Sequence, residues 1–306
     1  MNLDKMLQEV RNDKKSGASE IMRKVINYLI VYSESLETDD PHEYYENLFD
    51  FGKKLIVAQP SMAPLFNVTN TLFLSVKKAI EDNPSLENLK RCVKSTSEEL
   101  LSHSQEAIIE IKRRTQELIK GKNTILTHSY SSTILESLAF AHQEGMDFDV
   151  IVTESRPLFE GRKTAKFLAE YGIKVTLIAD MAAFHFLDQV DLILMGCDCI
   201  CKKGVVNKIG TKGLAIAASG CDKPFYFLSE KSKFLPSKYM VEPIIEDNDP
   251  EEIFKGEKDI DKKNIYFDVT PHKYYQGIVT EKGIINAEEI EAILEEIEVS
   301  KKLLLP

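Results

Sequence analysis

Short apolar segments alternate with helical patterns in the second part of the chain, and this alternation limits the possible folds more than any other feature. The segments occupy residues 124–127, 148–153, 173–178, 190–195, 224–228 and 277–280. Runs that are apolar on both faces and alternate with helices are typical of a parallel sheet that helices cover on both sides. The pattern therefore predicts a Rossmann-like α/β fold with a doubly wound, mostly parallel sheet.

The first 121 residues show helical spacing and almost no strand pattern. One helix is expected over 41–57, another after Pro64, and a long charged helix with an apolar stripe then reaches Gly121. A glycine just beyond the last periodic residue commonly ends a helix. We therefore predict an N-terminal helical domain over residues 1–121 and an α/β domain over residues 122–306.

Charge and cysteine content restrict the partners and the compartment. The chain has 39 Lys and Arg residues against 49 Asp and Glu residues, a net charge of −10. Nucleic-acid binding needs a positive protein face, so we expect no direct nucleic-acid partner, while a basic pocket for one small phosphate stays compatible. Five cysteines without a regular framework favour a reducing cytoplasm. No signal peptide or membrane-spanning run is recognisable, so we expect no membrane association. The charged segment 246–263 is expected to be an exposed excursion between elements.

Polar side chains follow several of the predicted strands, where open α/β sheets bind their ligands. Ser129, Tyr130 and Ser131 lie between the first strand and the next helix. Hydroxyls and free N–H groups at a helix N-terminus form an anion site, or a serine simply caps the helix. Arg156 follows the second strand, where it either clamps a carboxylate or phosphate or pairs with Glu154 or another neighbour.

Asp198 follows the third buried strand, between Cys197 and Cys199, and Cys201 lies just beyond. A carboxyl group at a dry strand end can act as an acid or a base. The three cysteines would share one face of an extended segment, either as metal ligands or as small buried apolar residues. Zinc sites prefer two-residue gaps and a fourth ligand, which favours the second alternative. We expect neither a metal nor an organic cofactor.

Three further polar residues lie downstream. Asn207 and Lys208 are framed by apolar residues just before a helix, a setting that suits phosphate or hydroxyl recognition. Lys233 is a weaker candidate, because lysines are usually exposed.

Together these segments resemble a known superfamily. The matching segments are ILTHSYS at 125–131, VTESRPLFEGRKTA at 152–165, MGCDCI at 195–200, GVVNKIGT at 204–211, SKF at 232–234, FDVTP at 267–271 and VTEKGII at 279–285, with looser matches in SGASEI at 16–21 and QPSMAP at 59–64. The superfamily joins the alpha, beta and delta subunits of translation initiation factor 2B to ribose-1,5-bisphosphate isomerase and methylthioribose-1-phosphate isomerase. The resemblance implies a helical N-terminal domain before a Rossmann-like domain, which agrees with the periodicity.

The resemblance also implies catalytic and phosphate-binding roles, and this chain departs from them at three positions. The isomerases have a Cys at the position of Ser129 and an Asp at that of Asp198, and these residues carry protons as the sugar ring opens and hydrogen moves between C1 and C2. A thiol can be tuned to ionise near neutrality, whereas a serine hydroxyl needs a separate base, so Ser129 is a poor proton carrier. The isomerases also hold phosphate with arginines where this chain has Ser16 and Gln59. Each lost guanidinium contact is worth roughly 1.5–3 kcal/mol.

The other matching positions imply that a ligand pocket survives. The expected ligand or phosphate contacts are Gly17, Ala18, Tyr130, Ser131, Arg156, Asn207, Lys208 and Lys233. We expect a protein similar to the alpha subunit of initiation factor 2B, with a sugar phosphate or nucleoside monophosphate between its domains. The alternative is an aldose-phosphate to ketose-phosphate isomerase with an altered substrate, so both an enzyme and a non-enzymatic subunit remain open. The family further implies dimers through the second domain, hexamers in some members, and initiation factor 2 as a candidate partner.

Overall fold

A computed structural model of the chain describes residues 3–14, 16–239, 247–256 and 259–304. Its helices are α1 (Leu3–Arg11), α2 (Ala18–Ser35), α3 (Pro41–Ala58), α4 (Ala63–Asp82), α5 (Leu86–Ile119), α6 (Ser132–Gln143), α7 (Glu160–Glu170), α8 (Ala183–Phe186), α9 (Thr211–Gly220) and α10 (Ala287–Glu296). Its strands are β1 (Thr124–Thr127), β2 (Asp149–Thr153), β3 (Lys174–Ile178), β4 (Leu192–Met195), β5 (Cys199–Cys201), β6 (Gly204–Lys208), β7 (Phe225–Leu228), β8 (Phe267–Thr270), β9 (Gly277–Thr280) and β10 (Gly283–Ile285).

Helices α1 to α5 form the first part of the fold, as predicted. The Asp40 side chain caps α3 by accepting a hydrogen bond from the His42 backbone N–H at 2.8 Å, and Pro41 occupies the first turn. α5 is one helix of 34 residues that ends before Gly121, whose φ of +74° suits a glycine. No helix in the described ranges is both long and apolar enough to span a bilayer.

The central sheet has the strand order β10-β9-β7-β4-β1-β2-β3, and all of its strands run parallel except β10. The six predicted strands are present, with ends that differ from the prediction by two residues at most. Along β1, Ile125 packs into the core on one face of the sheet and Leu126 into the core on the other face. The prediction of a doubly wound, mostly parallel sheet is therefore confirmed.

The winding direction reverses at the middle of this sheet. β1 pairs with β2 on one side, Leu126 opposite Ile151, and with β4 on the other, Leu126 opposite Ile193. The chain thus moves outward from β1 to β3 and then returns to the opposite side of β1. Such a switch point leaves a crevice at the carboxyl ends of the two central strands, where ligands bind in open α/β sheets.

A second, antiparallel sheet of order β5-β6-β8 was not predicted from the sequence. β5 carries Cys199 and Cys201, which pack into the core of the N-terminal helices. Cys197 precedes the strand and packs into the core of the large sheet instead. The expectation that the three cysteines share one face therefore holds for two of them only.

The charged excursion is described over 247–256 and 259–263, and Glu246 lies outside the described residues. Most of its described residues are exposed, as expected. The segment also has an unexpected position, because Asp247, Asn248 and Asp249 border the cleft at the switch point.

Candidate functional site

The carboxyl ends of β1 and β4 open into a cleft of about 370 Å³. Five predicted site residues line it, namely Gly17, Ser129, Tyr130, Asp198 and Lys208. Ser16 and Gln59, the two positions where arginines were expected from the resemblance, also line it. The cleft therefore joins the segment just before α2, the loops after the central strands and the small antiparallel sheet.

A narrow polar recess adjoins the cleft and shares Gly17, Tyr130 and Asp198 with it. It also contains Ala18, Ser131, Asn207 and Lys233. Its volume of about 10 Å³ has room for one water-sized atom. Nine of the ten predicted site residues thus lie around the cleft or the recess.

Two helices begin at the recess. α2 starts after Gly17, which supplies no side-chain cap, and Ala18 and Ser19 of its first turn line the recess. α6 starts after Ser131, whose hydroxyl accepts a hydrogen bond from the Ile134 backbone N–H at 3.4 Å. Ser131 therefore caps α6 and lines the recess at once. The start of a helix carries a partial positive charge, which favours an anion.

Lys233 lies at the recess in a buried position, with only 3% of the residue exposed. Its ammonium group donates a hydrogen bond to the Cys197 carbonyl at 2.8 Å. The expectation of an exposed lysine at this position is therefore wrong. Asn207, on β6, is also buried, and its amide donates to the Thr211 hydroxyl at 3.0 Å.

The turn after β1 fixes the position of Ser129. Its φ is +71°, a left-handed conformation that is uncommon for residues other than glycine. The Ser129 N–H donates to the Ser155 hydroxyl at 2.7 Å, and the Ser129 carbonyl accepts from the Thr164 hydroxyl at 2.7 Å. Hydrogen bonds to the loop after β2 and to helix α7 therefore hold the backbone that presents this side chain to the cleft.

His128, next to Ser129, is a buried link between strand ends. Burial lowers the pKa of His128, which favours the neutral ring. Its Nε2–H donates to the Ile209 carbonyl at 2.9 Å, so Nδ1 accepts from the Thr153 hydroxyl at 2.5 Å. The ring thus ties the loop after β1 to the end of β2 and to the residue after β6.

Asp198 lines both the cleft and the recess. Burial raises the pKa of Asp198, and the positive charges of Lys233 and Lys208 offset this only in part. The carboxyl group therefore keeps its proton to a higher pH than an exposed aspartate does. A neutral acid at this position can donate a proton or a hydrogen bond to a ligand.

Lys208 forms a buried ion pair with Glu160, which the sequence analysis did not select. The Lys208 ammonium lies 2.6 Å from Glu160 Oε1, and both side chains are less than one-tenth exposed. The same ammonium lies 4.8 Å from the ring centroid of Tyr266, another lining residue that was not predicted. Helical spacing could have indicated Glu160, because it shares the buried face of α7 with Thr164 and Leu168.

Arg156 lies apart from the other predicted residues. Its guanidinium donates to the Ile253 carbonyl at 2.8 Å and stacks on Phe159, and it lines neither the cleft nor the recess. Glu154, the expected alternative partner of Arg156, instead pairs with Arg162 at 2.8 Å. Arg156 therefore anchors the described part of the charged excursion.

In the described ranges, no group of three or more His, Cys, Asp or Glu side chains is arranged to hold a metal ion. Cys197, Cys199 and Cys201 are all buried.

The fold and the site together define a Rossmann-like protein with helical N-terminal elements and a polar cleft at the sheet's switch point. The chain belongs to the initiation factor 2 subunit family (IF-2B), whose model matches residues 14–287. The resemblance drawn from the sequence motifs is therefore confirmed.

Some relatives of this chain are named as sugar-phosphate isomerases and others as translation initiation factors. A ribose 1,5-bisphosphate isomerase of Pyrococcus furiosus is 34% identical over 286 residues, 91% of this chain and 88% of the relative. The crystal structure of a translation initiation factor eIF-2B of Pyrococcus horikoshii OT3 matches with a TM-score of 0.80 and 31% identity, over 92% of this chain and 96% of that one. The structure of 5-methylthioribose 1-phosphate isomerase of the same organism has a TM-score of 0.73 and 26% identity, over 99% and 87% of the two chains.

Proposed function

We propose that this chain, similar to the alpha subunit of eIF-2B, binds a sugar phosphate or nucleoside monophosphate. The ligand lies in the cleft between the proposed domains 1–121 and 122–306, with a phosphate oxygen in the recess. One observation carries the proposal: the starts of α2 and α6 meet the buried amine of Lys233 around a space of about one oxygen atom. Helix starts and a buried cation are what a phosphate group needs.

The protonation of Asp198 supports the same placement. A carboxylate beside a phosphate would repel it, whereas a protonated carboxyl group can donate a hydrogen bond to it. Burial raises the pKa of Asp198, which favours the protonated form at the recess. An anionic ligand raises this pKa further, so binding and proton uptake are coupled.

The two positions without arginine favour binding over the full isomerase chemistry. The Gln59 amide donates to the Val10 carbonyl at 2.9 Å and to the Asp13 carbonyl at 3.2 Å, so it fixes main chain at the end of α1. Ser16 offers only a short side chain. Phosphate recognition in this proposal therefore depends on the recess and not on those two positions.

We further propose that copies of the chain associate at least into dimers in the cytoplasm, and that initiation factor 2 is a candidate partner. The net charge of −10 supports a protein partner over a nucleic acid. Light scattering coupled to size-exclusion chromatography tests the association, and elution at 34.7 kDa, the mass of one chain, would contradict it.

A second candidate function is an aldose-phosphate to ketose-phosphate isomerase. The specific observation in its favour is Asp198, a half-buried acid in the cleft whose pKa is raised by desolvation. If only the thiol is missing, Ser129→Cys creates or raises isomerase activity, as followed by NMR detection of the ketose. An unchanged rate with every substrate would contradict that reading.

A thermal-shift screen with sugar phosphates and nucleoside monophosphates tests the binding proposal directly. A ligand at one hundred times its dissociation constant adds about 2.7 kcal/mol of stability, which gives a clear increase in Tm. Ribose and nucleosides without phosphate are the controls. The absence of any phosphate-dependent shift would overturn the proposal.

A further inference from the structure

We propose that a second pocket, beside the turn that carries Lys233, binds a small amine with an apolar body and that this ligand strengthens phosphate binding in the recess. We call it the amine pocket. It shares no lining residue with the cleft or the recess. The link to the recess rests on the proposed phosphate binding, whereas the amine site itself does not.

The amine pocket has a volume of about 280 Å³ and lies between the helical part of the fold and the large sheet. Helices α2, α4 and α5 form one wall, and the turns after β7 and β9 form much of the other. Thr71 and His103 in its lining are exposed, so a solute can enter from water. A concave, largely apolar pocket of this size suits a small organic ligand. Its apolar surface comes from the side chains of Met22, Val68, Leu100, Ala107 and Ile297.

A buried carboxylate without a cation lies in the wall of the amine pocket. Glu230 is 2% exposed, and its Oε1 and Oε2 accept hydrogen bonds from the hydroxyls of Ser19 at 2.8 Å and Ser104 at 2.7 Å. Both partners are neutral, and none of the ion pairs within the described ranges includes Glu230. Buried charges are normally paired with an opposite charge. A buried carboxylate beside an open pocket therefore indicates a cation that arrives with a ligand.

A second carboxylate, that of Glu281, also lines the amine pocket and is partly exposed. Its Oε2 accepts a hydrogen bond from the Lys231 backbone N–H at 3.2 Å. Against these two carboxylates the lining has one ammonium group, that of the exposed Lys231. Water and salt screen an exposed charge much more than a buried one. The pocket therefore favours an ammonium group over a carboxylate or a phosphate.

Glu230 lies between the amine pocket and the recess. Of its two hydroxyl partners, Ser19 lines the recess and Ser104 lines the amine pocket. An anion in the recess is therefore repelled by the Glu230 carboxylate, and an ammonium group in the amine pocket offsets that repulsion. Because such coupling is reciprocal, each ligand strengthens the binding of the other by the same factor.

The two sites also share the turn that carries Lys233. Asn67, in the wall of the amine pocket, donates from its amide to the carbonyls of Ser232 and Phe234, both at 2.7 Å. These two carbonyls flank Lys233, whose side chain lines the recess. A ligand that packs against Asn67 therefore stabilises the turn in the conformation that places the Lys233 ammonium at the recess.

The first test uses 2-phenylethylamine, with 2-phenylethanol as the neutral probe and phenylacetate as the anionic probe. The chain has no tryptophan, so Thr71→Trp places a single fluorescent reporter at the amine pocket. Ile109→Trp, at an exposed position of α5 outside the pocket, is the matched control. We expect the amine to change the emission of Thr71→Trp only, with a Kd of about 1 mM or below. The alcohol binds roughly fivefold or more weakly, and phenylacetate gives no saturable change.

The second test uses calorimetry on the full chain with the amine and with ribose 5-phosphate. Saturating amine lowers the Kd of wild type for ribose 5-phosphate roughly two- to fivefold. Glu230→Gln raises the Kd for the amine and lowers the Kd for ribose 5-phosphate by similar factors. Opposite changes for the two ligands cannot come from general damage to the fold. Glu99→Gln, which removes an exposed carboxylate of α5 outside the pocket, leaves both values unchanged.

The outcomes separate the amine site from the proposed function. No saturable binding of the amine to wild type or to Thr71→Trp, or equal affinities for the amine and phenylacetate, overturns the amine site. Amine binding that leaves the Kd for ribose 5-phosphate unchanged overturns the link between the sites. If no phosphate binds with or without the amine, the proposed function fails and the link fails with it, whereas the amine site stands on its own binding data.

Discussion

Replacing Lys233 by methionine isolates the charge at the recess. Methionine has a similar length and suits a buried site, so Lys233→Met removes the ammonium group with little change in volume. A hydrogen bond to a charged group contributes about 1.5–3 kcal/mol. We therefore expect the Kd for a sugar phosphate to rise roughly 10- to 150-fold.

The same substitution is also expected to lower the free energy of unfolding. Lys233 donates to the Cys197 carbonyl at 2.8 Å, and the variant leaves that buried acceptor without its partner. The expected loss of unfolding free energy is about 1–3 kcal/mol. Lys231→Met is the matched control, because Lys231 belongs to the same 3₁₀ turn and is exposed.

Isothermal titration calorimetry at low salt measures both variants and wild type with ribose 5-phosphate and with ribose as the uncharged reference. Urea unfolding of the unliganded proteins separates lost binding from lost stability. A Kd for Lys233→Met within twofold of wild type, in a folded variant, would refute the reasoning that places phosphate in the recess.

Three other predictions concern neighbouring features. Burial raises the pKa of Asp268 from 3.8 to about 6, so the stability linked to its proton is present below about pH 4 and is lost as the pH rises toward 6. Urea titrations of wild type across that range should show a loss of unfolding free energy of up to about 3 kcal/mol, and Asp268→Asn should not show it. Gly161→Ala should lower the unfolding free energy by about 3 kcal/mol or more, because the new Cβ meets the Thr153 carbonyl, and an unchanged urea midpoint would contradict this. Arg11 is exposed at the cleft, so Arg11→Gln should weaken binding of a sugar bisphosphate roughly two- to fivefold. Lys53→Gln, which removes the same charge outside the cleft, should leave that Kd unchanged in calorimetry.

The large sheet could be predicted because its strands are continuous apolar runs between helices. Such runs are typical of a parallel sheet that helices cover on both faces. β5 and β6 could not be predicted in the same way. β5 has three residues, and β6 combines a glycine, two valines and two polar residues, so neither shows a period of two. β6 also pairs with β8, which lies about sixty residues away in the sequence. Only the folded chain brings these segments together.

The site residues that directly follow a strand could be predicted from the sequence. Asp198 and Ser129 follow buried strands directly, so their positions follow from the rule for open sheets. Lys233 and Arg156 show the limit of that reasoning, because one charged side chain is buried at the recess and the other contacts the excursion. Burial of a charged residue depends on partners that lie far away in the sequence, so the local pattern alone does not indicate it.

The left-handed turn at Ser129 has a consequence for the evolution of this chain. A non-glycine residue in that conformation is disfavoured by roughly 1–2 kcal/mol, and the hydrogen bonds to Ser155 and Thr164 offset this whatever the side chain is. The backbone conformation that positions residue 129 is therefore independent of the chemical group on its side chain. Exchange of one oxygen for sulfur, a change that a single nucleotide substitution can encode, would place a thiol there without rebuilding the turn. Gain or loss of thiol chemistry in this fold is thus a reversible, one-step change.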